Sequence, residues 1–335
     1  MSRINGNGFR PAFWLPGAHL QTIVPTLLPG PSLTPAAEAR LVEVDPGSQI
    51  QVLISRPTRA PRGTLILVHG LGGNAESGYM RRTASMALQK GWITLRVNLR
   101  NCGGTEALAR TLYNAGQSGD AGRVLEAIDA WGLPRPYALV GFSLGGNLAL
   151  RYAGLAGDGC RADEIIGVNP PVDLEACVRC LEESRNAFYH HFFTWKLLRM
   201  LRRIRRHRAT IGPPPRLGAI RTLRRFDTLY TAPDGGFSSA EDYYLRASAG
   251  PHLGKITVPA LILSSLNDPL IPPRMFSVHG RGGAMLRFMH PPKGGHVGYW
   301  QSGSPRFWAG EAILDYLERP AGVRLAGHPP AKPAG

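Results

Sequence analysis

Two periods of apolar residues alternate along most of the chain. Leu41-Val42-Glu43-Val44 and Gln49-Ile50-Gln51-Val52-Leu53-Ile54 alternate apolar and polar positions on either side of Asp45-Pro46-Gly47-Ser48, which predicts an antiparallel hairpin with a short loop. Thr64-Leu65-Ile66-Leu67-Val68 is an unbroken β-branched and aliphatic run, suited to a strand buried on both faces. A helical pattern follows around Tyr79 to Gln89, then a strand pattern from Trp92 to Leu99. A helix is predicted from Asp120 to Trp131, with Val124, Leu125 and Ile128 on one face. A strand over Tyr137 to Phe142, a helix over Leu144 to Leu155 and a strand over Glu164 to Val168 come next. This alternation implies a mostly parallel sheet covered by helices on both faces.

The rhythm breaks from about Asp173 to Gly250, a stretch that is helical, aromatic and basic. It resumes with strands over Val258 to Ser264 and Ala284 to Met289, and a last helix near Pro305 to Leu317. The interruption, residues 173–250, therefore reads as a helical cap inserted into a single α/β domain spanning 38–318. Residues 1–37 form an N-terminal extension expected to pack on that core. The segment 319–335, rich in proline, glycine and alanine, is expected to be disordered. No internal repeat is present.

A chain of 335 residues buries a core without disulfides. Its four cysteines, Cys102, Cys160, Cys177 and Cys180, form no framework for that length, which favours a reducing compartment. Cys177 and Cys180 have C-x-x-C spacing. Two cysteines on one helix face is the favoured reading over a redox or metal pair, because no second pair lies at zinc spacing. The N-terminus has no continuous apolar signal region, and no stretch approaches the ~20 apolar residues of a spanning helix. The expected location is the cytoplasm.

The net charge of +16 is uneven: eleven basic residues and no acidic one lie between Lys196 and Arg225. Tyr189, Phe193, Leu197, Leu201 and Ile204 recur at helical spacing, with Lys196, Arg199, Arg202, Arg203 and Arg206 on the other side. This predicts an amphipathic basic helix. Its plainer reading is a lid with a solvated basic face; the sharper one is peripheral contact of residues 187–208 with anionic membrane. Nucleic-acid binding is not expected, since no recognition motif accompanies the charge.

The candidate chemistry centres on Gly141-Phe142-Ser143-Leu144-Gly145, between a predicted strand and a predicted helix. That is the setting of a nucleophile elbow, in which a strained turn exposes the serine hydroxyl. A serine needs a base, and a histidine serves if a carboxylate holds its tautomer. Asp268 falls on the loop after one later strand and His296 on the loop after the next, in the order serine, acid, histidine. Asp268-Pro269 could instead be a plain turn, and His290 competes with His296; the glycines before His296 favour the latter. The oxyanion donors are expected to be the backbone N–H of Leu144, at the start of its helix, and that of Leu71 in His69-Gly70-Leu71-Gly72-Gly73. His69 reads as support for this loop. The same loop matches a dinucleotide fingerprint in Gly70-Leu71-Gly72-Gly73-Asn74-Ala75. However, the next strand ends in Asn98-Leu99-Arg100-Asn101 where an acidic residue is wanted, and that reading leaves the three candidate catalytic side chains unexplained.

With these residues in place, the chain resembles the YheT-like branch of the α/β-hydrolases, which includes abhydrolase-4 type lipases and esterases. The resemblance runs from about Phe9 to Trp308. It rests on Trp14-Leu15-Pro16-Gly17-Ala18-His19-Leu20-Gln21-Thr22, on His69-Gly70-Leu71, on Asn98-Leu99-Arg100-Asn101-Cys102-Gly103-Gly104 and on the elbow with Gly146-Asn147. Asn169-Pro170-Pro171, Arg225-Phe226-Asp227, Tyr243-Tyr244, Asn267-Asp268-Pro269 and Gly295-His296-Val297-Gly298 agree as well. The resemblance implies an α/β-hydrolase fold and a Ser143, Asp268, His296 triad. It also implies hydrolysis of carboxylic esters without a cofactor; no metal is expected, and the apolar cap suggests an acyl chain, so the expected substrates are short- to medium-chain acyl esters or acylglycerol-like lipids. The alternative is a non-catalytic scaffold that binds lipid or membrane through the basic helix. One departure is Tyr113-Asn114-Ala115-Gly116 where the branch usually has Tyr-His-Ser-Gly, and it weakens any transfer of substrate preference.

Overall fold

In the computed structural model, residues 8–34, 36–208, 220–279 and 283–319 are described. The tail beyond Arg319 and the stretch 209–219 of the basic run lie outside them. Eight strands form one sheet in the order β1-β2-β4-β3-β5-β6-β7-β8. The predicted hairpin is β1 (Glu38–Asp45) with β2 (Ser48–Ser55), in antiparallel register from Glu38 opposite Ile54 to Asp45 opposite Ser48. β2 also runs antiparallel to β4 (Trp92–Val97). β3 (Gly63–Val68), β5 (Tyr137–Phe142), β6 (Glu164–Val168), β7 (Ala260–Leu263) and β8 (Leu286–Met289) complete the sheet in parallel with β4.

The central strands are buried on both faces, and their alternation sorts side chains into two cores. Leu65 and Leu67 of β3, with Ala138, Val140 and Phe142 of β5, pack with α2 (Gly78–Gln89) and α11 (Trp308–Glu318). Ile66, Val68 and Leu139 turn to the other face, toward α3 (Gly119–Ala130) and α4 (Leu144–Ala156). β3 lies between β4 and β5, so the sheet winds outward in both directions from it. The crevice at the carboxyl ends of the strands beside such a reversal is where α/β sheets place ligands. The loop after β3 and the turn after β5 both open there.

Between β6 and β7 the chain leaves the sheet to build α5 (Leu174–Glu182), α6 (Ala187–Ile204), α7 (Leu223–Phe226), α8 (Ala232–Asp234) and α9 (Ala240–Ala247). Asp173, Thr222 and Ser239 cap α5, α7 and α9 by accepting the amides of Ala176, Arg225 and Asp242. Leu197, Met200, Leu201, Ile204, Leu223, Phe226 and Tyr243 share one hydrophobic core with the sheet face below. After β7 come α10 (Arg274–His279), β8 and α11. No helix among the described residues is long and apolar enough to cross a membrane.

Two features depart from the sequence reading. The outer face of α6 is not only basic: Phe188 and Trp195 are 62% and 50% exposed on it. Arg199 stacks on Trp195, and Lys196, over the Phe192 ring, is half-buried with its ammonium on the Gly72 carbonyl. The basic run is also less free than its count suggests, because Arg203 pairs with Glu106, Arg208 with Asp234, and Arg224 with Glu175, Glu182 and Glu241. The second feature is α1 (Ala18–Leu27), a helix inside the proline-rich extension with Pro25 within it. Pro25 has no N–H for the Gln21 carbonyl. That carbonyl faces Gly298 instead, so closely that a Cβ at 298 would lie 1.6 Å from its oxygen.

Candidate active site

The turn between β5 and α4 holds Ser143 at φ 52 and ψ −119, a region that non-glycine residues seldom adopt. The Ser143 amide donates to the Val168 carbonyl at 2.8 Å, and its carbonyl accepts from the amides of Gly146 and Asn147. The flanking glycines are required by contact. A Cβ on Gly141 would lie 2.0 Å from the Gly145 carbonyl oxygen, and one on Gly145 would lie 2.3 Å from that of Val68. Strand, serine and helix are thus locked by backbone against backbone.

Two loops bring the other predicted side chains to this serine. His296 Nε2 lies 2.9 Å from Ser143 Oγ, and His296 Nδ1 lies 2.8 Å from Asp268 Oδ2. The Asp268 carboxylate accepts only, so Nδ1 carries the proton of a neutral imidazole and Nε2 is free to accept from the serine hydroxyl. The Asp268 side chain is fully buried. Its Oδ2 also accepts from Asn169 Nδ2 at 2.6 Å, and its Oδ1 accepts from the amides of Leu270 and Ile271 at 2.8 and 3.1 Å.

Several residues around this line were not assigned a role from the sequence. Asn169, at φ 47 just after β6, donates to the Gly295 carbonyl as well as to Asp268, and its side-chain oxygen accepts the Val297 amide. It therefore ties the acid to the histidine loop. An asparagine after a strand and before Pro170-Pro171 was the available signal, since asparagine tolerates the left-handed region. The extension also contributes. Thr22 Oγ1 accepts the His296 amide at 2.9 Å, and the Gln21 side chain pairs with both backbone groups of Trp300. No local pattern pointed to that contact, which joins residues 274 positions apart.

The competing candidates fall elsewhere. His290 Nδ1 lies 3.0 Å from the Ser264 carbonyl oxygen and its ring packs on Phe276 and Phe288; burial lowers its pKa. His69 is fully buried, and desolvation brings its pKa down to about 4. It stands between the Gly70 carbonyl and the Leu99 amide as a neutral support for the loop after β3. The dinucleotide reading is overturned, because Arg100 is held by Asp120 and Asp45 and the Gly70 and Gly72 amides are taken by the hydroxyls of Tyr79 and Tyr113. Cys177 and Cys180 donate from one face of α5 to the Leu270 and Pro269 carbonyls, and burial raises both thiols.

Leu71 and Leu144, the expected oxyanion donors, line one cavity with Leu112, Tyr113, Asn114, Leu197, Met200, Phe226, Asp227, Thr231 and Tyr243. No hydrogen bond among the described residues engages the Leu71 or Leu144 amide. The cavity holds about 290 Å³ of empty space, open solvent included. α6 forms part of its roof, held over the loop by the Lys196 bond to Gly72.

The chain is 29% identical over 320 residues to the Escherichia coli protein named "Putative esterase YheT", covering 92% of each. It is 28% identical over 265 residues to a Saccharomyces cerevisiae monoacylglycerol lipase, covering 76% of this chain and 58% of that one. The resemblance to the YheT-like branch therefore holds over nearly the whole sequence. Among solved structures, Est1E from Butyrivibrio proteoclasticus matches with a TM-score of 0.54 at 14% identity, over 83% of this chain and 97% of that one. A model of the family described as alpha/beta hydrolase fold matches residues 63–302, and the chain belongs to that family.

Proposed function

We propose that the protein hydrolyses carboxylic esters through an acyl-enzyme on Ser143. Ser143 Oγ attacks the ester carbonyl carbon while its proton passes to His296 Nε2, and Asp268 stabilises the imidazolium. The Leu71 and Leu144 N–H groups hold the oxyanion, aided by the positive end of α4; such a donor contributes ~10²–10³ in rate. The tetrahedral adduct collapses, and the leaving alkoxide takes the proton from Nε2. A water then repeats the sequence on the acyl-serine and releases the acid. The observation that carries this reading is the continuous line of hydrogen bonds from Ser143 Oγ through His296 to Asp268, at 2.9 and 2.8 Å.

The apolar walls of the cavity, with Leu112, Leu197, Met200 and Phe226, favour a short- to medium-chain acyl group or an acylglycerol-like lipid as substrate. The names of the relatives, an esterase and a monoacylglycerol lipase, support the same class. The four cysteines are free thiols, which supports residence in the cytoplasm. The test is a fluorophosphonate probe with a p-nitrophenyl ester series from acetate to palmitate. The wild type is labelled and turns over esters, and Ser143→Ala does neither. A wild type inert to both, or a labelled Ser143→Ala variant, overturns the assignment.

One observation favours a second role beside the first. Phe188 and Trp195 stand exposed on α6 with the exposed Arg199 and Arg202, the composition of a helix that lies on an anionic membrane surface. Co-sedimentation with phosphatidylglycerol vesicles that falls with salt, falls in Trp195→Asp and survives Ser143→Ala supports it. Equal co-sedimentation by wild type and Trp195→Asp removes it.

A further inference from the structure

Ester hydrolysis leaves one wall of the cavity unused. Asp227, Tyr113 and Tyr243 line it beside Leu71 and Leu144. Asp227 opens the π-helical turn Asp227–Thr231 between α7 and α8, an irregularity found often at functional sites. It is 9% exposed, and among the described residues no cation pairs with it. Arg224, one turn earlier, is occupied by Glu175, Glu182 and Glu241. Tyr244 donates to Asp227 Oδ2 at 2.7 Å, and the Thr231 side chain is its other hydrogen-bond neighbour. A carboxyl group that is buried with hydroxyls as its hydrogen-bond partners, and with Arg224 acting on it only through its charge, sits at a cost. Desolvation accordingly raises its pKa to about 6.

The two tyrosines complete the wall. Tyr113 Oη accepts the Gly72 amide at 2.8 Å, and Tyr243 Oη accepts the Ala115 amide at 3.1 Å. The backbone thus fixes each oxygen, and each hydroxyl proton is left to donate. Gly72 adjoins Leu71, so this wall starts one residue from a proposed oxyanion donor. One carboxyl acceptor and two hydroxyls, all buried, line the same cavity, and an alkyl ester offers them nothing to pair with. A hydroxyl both donates and accepts, and it satisfies such a set.

We infer that Asp227, with Tyr113 and Tyr243, binds a hydroxyl group that the substrate carries close to its ester carbonyl. The inference rests on the ester-hydrolase reading and gives it a preference: hydroxylated esters over alkyl ones. The hydroxyl belongs either to the alcohol half, as in a polyol monoester, or to the acyl half, as in a hydroxy acid ester. A site built around a hydroxyl rejects the analogue without one, because its own polar groups are then left unpaired.

The experiment compares kcat/KM in two arms. Octanoate esters of ethylene glycol and of propanol differ by a hydroxyl for a methyl on the alcohol side. Ethyl 3-hydroxyoctanoate and ethyl octanoate differ on the acyl side. The wild type prefers the hydroxylated ester by ~10-fold or more in one arm, the scale of one hydrogen bond to a charged group, and that arm identifies the half recognised. Asp227→Asn and, separately, Tyr243→Phe bring the ratio toward one. No preference in either arm, or a ratio that both variants preserve, overturns the inference. If the wild type turns over none of the four esters, it is the ester-hydrolase reading that has failed. The hydroxyl site is then read from calorimetric binding of 1-O-octylglycerol against octyl propyl ether, and equal affinities overturn it.

Discussion

The elbow and the cap meet over the same cavity, but they are held by different forces. Around Ser143 the constraints are steric: two glycine contacts that admit no Cβ, and a carboxylate bonded by four donors with its side chain fully buried. The cap is pinned by side chains, among them Lys196 on Gly72, Arg203 on Glu106 and the Arg224 hub. Several of these partners are partly exposed, and such pairs are individually weak and screened by salt. Backbone contact cannot be traded for another residue without moving the fold, whereas a charged latch can. The proposed reacting groups therefore lie on the fixed geometry, and the proposed substrate-selecting surface lies largely on the adjustable one. Changes on the elbow side are expected to act on kcat, and changes in the cap on KM and specificity.

The largest effect that would break this division is at the nucleophile. Ser143→Ala is expected to lower kcat by up to ~10⁶ with the fold intact. Near-normal esterase turnover by a folded variant would remove the elbow from the chemistry.

Acid separates the two regions next. The His69 pKa is lowered to about 4 by burial under the oxyanion loop, and the Asp227 pKa is raised to about 6 by burial in the cap. For His69 the unfolded chain binds more protons between its ordinary 6.5 and about 4, so its contribution is full above 6.5 and is lost as pH falls through that window. The loss is on the order of 3 kcal/mol. For Asp227 the folded state binds the extra proton, so stability is lost as pH rises from 3.8 through about 6. Urea unfolding from pH 7.5 to 4.5 should show a slope that flattens in His69→Gln and steepens in Asp227→Asn. Identical slopes in all three proteins would refute both assignments.

Asn169 is smaller again. Asn169→Ala removes the donor to Asp268 Oδ2 and the ties to the backbone of Gly295 and Val297. We expect kcat to fall ~10–30-fold, consistent with about 1.5–2 kcal/mol for a lost hydrogen bond to a charged group. KM should change little, and Asn169→Asp should not rescue. A KM effect that dominates would mean that Asn169 shapes the cavity and not the acid.

How well the sequence could be read follows the same division. The strands and the elbow were legible because unbroken apolar runs, Gly141 and Gly145 are local consequences of burial and close approach, whereas the order of the strands in the sheet was not. Asp268 and His296 were legible by their position after consecutive strands. Asn169 was visible as a residue but not as a link, because its partners come from loops far along the chain. The clamp of Thr22 on His296 had no periodic signal at all, since Pro25 disguises α1. In the cap, the period of α6 was read, but Phe188 and Trp195 were not placed on its outer face. A helical wheel separates apolar from polar positions and does not say which neighbour covers each of them. The pairing of the arginines was invisible for the same reason: charge can be counted in a sequence, but partners cannot.

The smallest effect sharpens the comparison most. Lys196 donates to the Gly72 carbonyl at 3.0 Å, and burial lowers its pKa. The next residue on α6, Leu197, and Met200 one turn on face the cavity, while Gly72 adjoins Leu71. The ammonium therefore joins the helix that shapes the substrate wall to the loop that carries a proposed oxyanion donor. Lys196→Met keeps the apolar stem and removes the hydrogen bond. If the cap governs binding, the variant raises KM for p-nitrophenyl octanoate ~5–10-fold, about 1–1.4 kcal/mol, and acts far less on p-nitrophenyl acetate, whose acyl group is too short to reach the wall. If instead the latch aims the Leu71 amide, kcat falls by the same factor for both esters, since every substrate forms the same oxyanion. The acetate-to-octanoate contrast thus decides whether the cap reaches the chemistry or stops at the substrate.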